Sequence, residues 1–251
     1  MKQKRNYGWK PDLPDHRDYR FKPKAIKFPA MVDMIPNCPE IYDQLNLGSC
    51  TGNAIGGELE FMQIAQGEKA FTPSRLFIYY NERVMENSVS EDAGAMIRDG
   101  IKSVAKKGVC PETMWPYIIE KFADKPSTKC YTQAKKFKAL KYERLSNNIT
   151  DMKSCLAGGK PFVFGFSVYE SFESDTVAKT GMMPMPKKTE QLLGGHAVMC
   201  VGYKTIKKKL YFIVRNSWGS SWGDRGYFYM PAAYISDSNL CDDFWTISLV
   251  S

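Results

Sequence analysis

Cys50 is the residue with the clearest chemical potential in the first half of the chain. It follows the turn formers Gly48 and Ser49 and precedes apolar residues that recur every three or four positions. This pattern predicts a helix that carries Cys50 in its first turn and ends at Gly67. Unpaired N–H groups and the helix dipole favour the nucleophilic thiolate there. Because a helical cysteine is usually inert packing, other residues must support a reactive role.

His196 and Asn216 are the supporting candidates in the second half. His196 follows two glycines at the start of a predicted strand, while His16, the other of two histidines, lies in a charged surface segment. The Asn216 side-chain oxygen can accept from one imidazole nitrogen and leave the other for a sulfur. Trp218 and Trp222 could shield that hydrogen bond. A histidine beside a thiolate forms a pair that is nucleophilic at neutral pH.

Taken together, these motifs resemble the papain-like cysteine peptidases, from about Phe28 to the C-terminus. The opening YGW-PDLPDHRD and the closing DFWTI are similar to the prokaryotic and viral branch of that family. The motifs that carry the resemblance are Gln44 with Gly48-Ser49-Cys50, Gly195-His196-Ala197, and Asn216-Ser217-Trp218-Gly219 with Trp222-Gly223.

The resemblance implies a cysteine endopeptidase without a metal or cofactor. Cys50 would be the nucleophile, His196 the general acid/base and Asn216 the residue that orients the imidazole. Gln44 would donate to the oxyanion together with the Cys50 N–H, and one such donor is typically worth about 3 kcal/mol. The substrate-binding residues it implies are Gly94, Gly195, Ala197 and Trp218. An apolar specificity pocket would involve Gly165, Ala197 and residues near Thr246.

The expected fold class is α+β. A helical left lobe, approximately residues 40–130, would face an antiparallel, β-barrel-like right lobe, approximately 131–251, across the active-site cleft. Residues 28–251 would form the peptidase domain. Residues 1–27 would form a basic, proline-bearing arm that is either a short pro-segment over the cleft or a permanent strap.

Composition narrows the partners. The net charge of +8 is spread along the chain and no nucleic-acid motif occurs, so we expect peptide or protein substrates. No signal peptide or membrane span is apparent, which favours an intracellular, cytoplasmic or virion-associated protein. We expect a monomer. Leu47 and Thr51 replace the cysteine and tryptophan usual in the family, and seven cysteines without a secretion signal favour reduced thiols.

Three alternatives to a cysteine endopeptidase stay open. The chain could be a catalytically idle peptide binder, which would not hydrolyse peptides, or an acyl-transferase or isopeptidase, which would pass the acyl group to an added amine. A basic nucleic-acid binder is the third, and salt-dependent DNA binding would reveal it.

Overall fold

The computed structural model describes residues 5–24 and 27–251. Within these ranges three longer helices come first and shorter ones interrupt the strands of the second half. Short 3-10 turns cover Ile35–Asn37, Ile119–Lys121 and Glu170–Glu173. The α-helices are α1 (Cys50–Ala65), α2 (Arg75–Met85), α3 (Ile97–Lys107), α4 (Thr128–Ala134), α5 (Ile149–Ala157), α6 (Asp175–Thr180) and α7 (Ala232–Ile235).

The strands form one large antiparallel sheet and one small parallel pair. The strands are β1 (Trp9–Lys10), β2 (Val32–Asp33), β3 (Ala95–Met96), β4 (Ala139–Arg144), β5 (Phe162–Tyr169), β6 (Leu192–Ile206), β7 (Lys209–Arg215), β8 (Tyr227–Pro231) and β9 (Cys241–Val250). The large sheet has the order β4-β9-β5-β6-β7-β8, with β2 added to β6, and β1 pairs with β3. The α+β prediction is therefore confirmed. The sheet is open, because its two end strands, β4 and β8, do not pair with each other in the described ranges.

Helix α1 packs between helices α2 and α3 on one side and β6 and β9 on the other. Thirteen of its sixteen residues are buried, so its glycines remove side chains on contact faces. The close backbone approach occurs at Gly52, where an added Cβ would lie 2.8 Å from the Arg75 carbonyl oxygen. Gly56 and Gly57, by contrast, face the side chains of Arg75 and Arg215.

Helix α2 begins two residues later than the sequence suggests. Thr72 and Pro73 resemble a cap and a first helical residue, but Pro73 forms an isolated antiparallel bridge with Pro111. Ser74 is the cap, and its hydroxyl accepts a hydrogen bond from the Phe77 N–H. The bridge holds Pro73 in an extended conformation and therefore delays the helix.

The arm from residue 5 to residue 24 crosses from one end of the cleft to the edge of the sheet. Its strand β1 pairs Trp9 with Ala95 and Lys10 with Met96. Further along, the Arg144 N–H donates to the Tyr19 carbonyl over 2.7 Å, and the Phe21 N–H donates back to the Arg144 carbonyl over 2.9 Å. This pairing extends the edge strand β4.

The described residues contain neither a membrane-spanning helix nor a metal-binding cluster. None of the helices there is long and apolar enough to cross a membrane. No group of histidine, cysteine or acidic side chains in residues 5–24 and 27–251 is arranged to hold a metal ion. All seven cysteines fall within these ranges, and none is in a disulfide.

Candidate active site

Cys50 is the first residue of α1 and is fully buried. The main-chain N–H groups of Ala197 and Gly8 lie near its thiol and favour the charged form of the sulfur. Ala197 follows His196 on β6, so this contact joins the helix start to the sheet. Gly8 belongs to the arm, so the arm backbone lies directly on the sulfur.

His196 sits on β6 opposite Phe166 of β5, and it too is fully buried. Its Nε2 lies 2.8 Å from the Asn216 side-chain oxygen. Its Nδ1 has no hydrogen-bond partner among the described residues. The Trp218 ring stacks on the imidazole with 5.0 Å between centroids and 29° between planes. Asn216 and Trp218 therefore fix the ring and leave one nitrogen available.

Burial sets the protonation states of both groups. Loss of water raises the pKa of the Cys50 thiol to about 12, although three main-chain N–H groups partly oppose this. Loss of water also lowers the pKa of His196 to about 4, aided by the charge of Arg5 and opposed by the hydrogen bond that the ring donates to the Asn216 side-chain oxygen. With the arm seated, the sulfur is a thiol and the imidazole is neutral. The helix dipole, which favours a thiolate, is outweighed by desolvation in this state.

Gln44 lies beside the same helix start and is 1 % exposed. The Ser217 hydroxyl donates to its side-chain oxygen over 2.7 Å. Its amide nitrogen donates to the Leu47 carbonyl over 2.9 Å and lies 3.5 Å from the Asn6 carbonyl of the arm. The amide is thus held in place and reaches a main-chain carbonyl in the cleft. Ser217 is a further site residue, for which the family resemblance implies no role.

Gly94 and Gly195 flank the arm on opposite walls. An added Cβ at Gly94 would lie 2.2 Å from the Gly8 carbonyl oxygen, which accepts from the Ala95 N–H over 2.7 Å. An added Cβ at Gly195 would lie 2.6 Å from the Trp9 carbonyl oxygen. Both glycines therefore allow a backbone to approach. The N–H that bonds the arm belongs to Ala95, next to the glycine that the resemblance implies.

Trp9 fills a pocket between β5, β6 and β9. Its indole covers Gly165, where an added Cβ would lie 1.9 Å from the ring. The indole N–H donates to the Asp243 carboxylate over 3.0 Å. The resemblance implies residues near Thr246 in this pocket, and Asp243 is one of them. Thr246 itself is fully buried and donates to the Pro161 carbonyl. The pocket is therefore not purely apolar.

The structure brings Cys50, Ala197 and the arm into contact, and separately His196, Asn216 and Trp218. What sequence reasoning missed is the role of Gly8 and Asp243. A signal for Gly8 exists, since it is a glycine in an otherwise bulky Tyr-Gly-Trp run. No local signal marks Asp243, because its contact with Trp9 spans 234 positions.

Comparisons with known proteins show what this chain is similar to. A similar protein is the "Uncharacterized peptidase C1-like protein L477" of Acanthamoeba polyphaga mimivirus, 46% identical over 98% of this chain and 88% of its own length. Xylellain, a cysteine protease from Xylella fastidiosa, superposes with a TM-score of 0.93 and 43% identity over the whole of both chains. The proCathepsin B S9 of Trypanosoma congolense shares the fold, with a TM-score of 0.78 at 18% identity, over 98% of this chain and 87% of its own.

The family model described as "Papain family cysteine protease" matches residues 29–242, which includes the Cys50, His196 and Asn216 motifs. The match covers most of the chain, and a crystal structure of a cysteine protease superposes on all of it. This protein belongs to the papain family of cysteine proteases.

Proposed function

We propose that the protein is a cysteine endopeptidase in which Cys50 attacks the peptide carbonyl and His196 moves the proton. The observation that carries this assignment is the hydrogen bond between His196 Nε2 and Asn216, which leaves Nδ1 without a partner. The thiol lies against the next residue of the same strand. A free ring nitrogen beside a helix-start thiol is the arrangement that nucleophilic cysteine catalysis needs.

The reaction follows from these groups. The Cys50 proton passes to His196 Nδ1 as the sulfur bonds to the carbonyl carbon. The C–N bond then breaks, and His196 returns the proton to the leaving amine. Water attacks the thioester and gives a proton to His196, the C–S bond breaks, and the sulfur recovers that proton. Gln44 and the Cys50 N–H stabilise the oxyanion of each tetrahedral intermediate.

The arm makes this endopeptidase latent. Two contacts support that role: the Gly8 N–H lies near the thiol, and the Gln44 amide faces the Asn6 carbonyl. A substrate cannot reach the sulfur while these contacts persist. The Gly8 carbonyl is bonded to Ala95 and not to the oxyanion donors, so the arm occupies the site without presenting that carbonyl for attack.

The two halves of the arm do different jobs. We name residues 5–10 the occluding segment and residues 11–24 the anchor segment. Asp12 and Asp18 of the anchor segment are almost completely buried and are bonded to Arg98. Activation therefore needs displacement or removal of the occluding segment only, while the anchor segment stays on the body as a strap. Residues 1–4 and 25–26, which also belong to the expected arm, lie outside the described residues.

Gly8→Val in the full chain tests latency and catalysis together. An added Cβ at Gly8 would lie 1.7 Å from the Gly48 carbonyl oxygen, so the occluding segment cannot seat. We expect hydrolysis of fluorogenic peptides to rise at least about ten-fold over the wild type under reducing conditions, and to disappear when Cys50→Ala is added. Leu13→Ala, a change at an arm residue that is 68% exposed, serves as the control and should leave the wild-type rate unchanged.

Other results would contradict specific parts of the proposal. A folded, reduced Gly8→Val protein without any turnover would favour the idle peptide binder. Transfer of the acyl group to an added amine in place of hydrolysis would favour the acyl-transferase. Wild-type activity equal to that of Gly8→Val would refute latency but leave the peptidase assignment intact. A monomer without a cofactor stays the expectation for the active form.

A further inference from the structure

The pocket that holds Trp9 is shaped for a flat ring. On the central strand β5, Gly165 pairs with Ala197 of β6 on one side and with Asp242 of β9 on the other. The missing side chain of Gly165 opens a slot where these three strands meet. Gly195 widens it, because an added Cβ there would lie 2.7 Å from the indole ring. Any side chain larger than hydrogen at either position would displace the ring.

A buried carboxylate lies within reach of that slot. The Asp243 side chain is 1% exposed, and its Oδ2 accepts the indole N–H over 3.0 Å. The same oxygen accepts the Asp12 N–H over 2.7 Å, while Oδ1 accepts from the Arg144 guanidinium over 2.7 Å. The carboxylate is thus held from two other directions while it accepts from the ring.

The backbone at Asp243 is also unusual. Its φ is +58°, a left-handed conformation that costs a non-glycine residue free energy and that Asn or Asp tolerates best. The Asp242 side chain accepts the Asp243 N–H and supports this conformation. Strain of this kind at a buried polar residue in a cleft is typical of functional positions. Here the left-handed backbone conformation of Asp243 accompanies a side chain that reaches the pocket and accepts the indole N–H.

We infer that Asp243 determines the side-chain specificity of this pocket, which selects an indole over a hydrocarbon ring of the same size. The inference rests on the proposed peptidase function. In the open enzyme, a substrate tryptophan takes the place of Trp9 and donates its N–H to Asp243. A side chain of the same shape without an N–H leaves the buried carboxylate short of a donor, which is costly.

Arg144 does not give the slot a surplus of positive charge. Its guanidinium contacts Asp243 Oδ1 and also lies within 3.5 Å of the carboxylates of Asp12, Asp18 and Asp242. These acidic groups outnumber Arg144, so charge repulsion does not decide the occupant. The preference for an indole rests on the flat slot and on the N–H that meets Asp243 Oδ2.

The test compares two nearly isosteric side chains. The protein is the full chain carrying Gly8→Val and Trp9→Ala, so that the sulfur is accessible and the pocket is empty. Peptides in which one Trp is moved residue by residue first locate the pocket-filling position. Trp at that position is then replaced by 3-benzothienylalanine, which has sulfur in place of the N–H. We expect kcat/KM to be about ten-fold higher for Trp, since the analogue leaves a buried acceptor oxygen without one of its hydrogen bonds.

Variants at the carboxylate sharpen the comparison. Asp243→Gly accepts the positive φ and removes the acceptor, so the ratio between the two peptides should fall to about one. Asp242→Asn is the matched control, because its side-chain oxygen can still accept the Asp243 N–H while a charge that also contacts Arg144 and is 53% exposed is removed, and it should keep the ratio. If Asp243→Gly does not fold, Asp243→Asn replaces it, and the ratio in the protein with Asp243 intact still tests the inference.

The other outcomes separate a failure of the pocket inference from a failure of the peptidase proposal. Equal rates for the two peptides would refute the role of Asp243 while leaving the peptidase intact. If no peptide is cleaved, the proposed function fails. The pocket is then tested by calorimetric binding of the two peptides to the full chain carrying Gly8→Val, Trp9→Ala and Cys50→Ala. There, equal affinities would refute the inference and tighter binding of Trp would support it.

Discussion

At the scale of single residues, the state of Cys50 depends on what covers it. A helix start favours a thiolate, whereas burial under Gly8 favours the thiol and raises its pKa to about 12. The lowered pKa of His196 follows from the same loss of water. The same arm segment therefore keeps both groups neutral, chiefly by excluding water, and the positive charge of its Arg5 further lowers the pKa of His196. Displacing that segment lets water reach the pair and favours the thiolate–imidazolium form.

We expect this difference to be visible in the reactivity of the thiol. In the wild type, alkylation of Cys50 by iodoacetamide should be slow at pH 7 and should accelerate only as the pH rises towards the pKa of about 12. In Gly8→Val the rate at pH 7 should rise at least about ten-fold, because the pKa falls when water returns. Mass spectrometry of peptides after timed labelling measures this. Equal rates at pH 7 would contradict a buried, protonated thiol in the latent form.

At the scale of elements, the anchor segment is bonded to the body by charges that are almost fully buried. Arg98 donates to both carboxylate oxygens of Asp18, over 3.0 and 3.2 Å from Nε. Arg144 lies 3.4 Å from Asp12 and 3.5 Å from Asp18. Because these pairs are shielded from water, removing one partner leaves an unbalanced charge. The first turn of α3 and the end of β4 are therefore tied together through the arm.

Asp18→Asn should lower the free energy of unfolding by about 3 kcal/mol, because Arg98 loses its paired carboxylate. It should also raise the basal peptidase rate, since the arm is less firmly held. Urea unfolding and a fluorogenic assay measure the two effects. Arg17→Gln is the control, because Arg17 is 79% exposed and pairs with Asp15 inside the arm, so its loss should change little. An Asp18→Asn protein as stable and as latent as the wild type would contradict the anchoring role.

At the scale of the whole molecule, helix α1 forms the contact between the helices and the sheet. Buried glutamates lie on α1 and on the neighbouring α2. Glu58 accepts the Ile247 N–H of β9. Glu82 of α2 accepts from the Thr51 hydroxyl of α1 and is fully buried, and burial raises its pKa to about 8. The folded protein keeps the Glu82 proton at neutral pH, whereas the unfolded chain releases it.

The stability contribution of Glu82 should therefore be complete below about pH 4.5 and decline as the pH rises to about 8. The slope from this group is at most about 1.4 kcal/mol per pH unit. Glu82→Gln keeps an acceptor for Thr51 and cannot ionise, so the variant should flatten this decline in urea unfolding between pH 5 and 8. The exposed Glu68→Gln is the control. An unchanged pH profile in Glu82→Gln would show that Glu82 ionises normally.

Much of the secondary structure could be predicted because its signals are local. The end of α3 before Gly108 and the start of α5 after Asn148 follow cap rules that involve only neighbouring residues. The start of α2 could not be predicted, because a contact with Pro111 holds Pro73 extended and moves the cap to Ser74. Local propensity is decisive only where no distant contact competes with it.

The sequence by itself determined the family, the α+β class and the set of candidate catalytic residues, because each motif combines residue types whose chemistry is recognisable wherever they lie. Only the tertiary structure decided that Gly8 covers the sulfur, that both reacting groups are neutral beneath it, and that Asp243 reaches the indole of Trp9. These features depend on which distant segments exclude water from one another. Exclusion of water is a property of the packed chain, and no local stretch of sequence carries it.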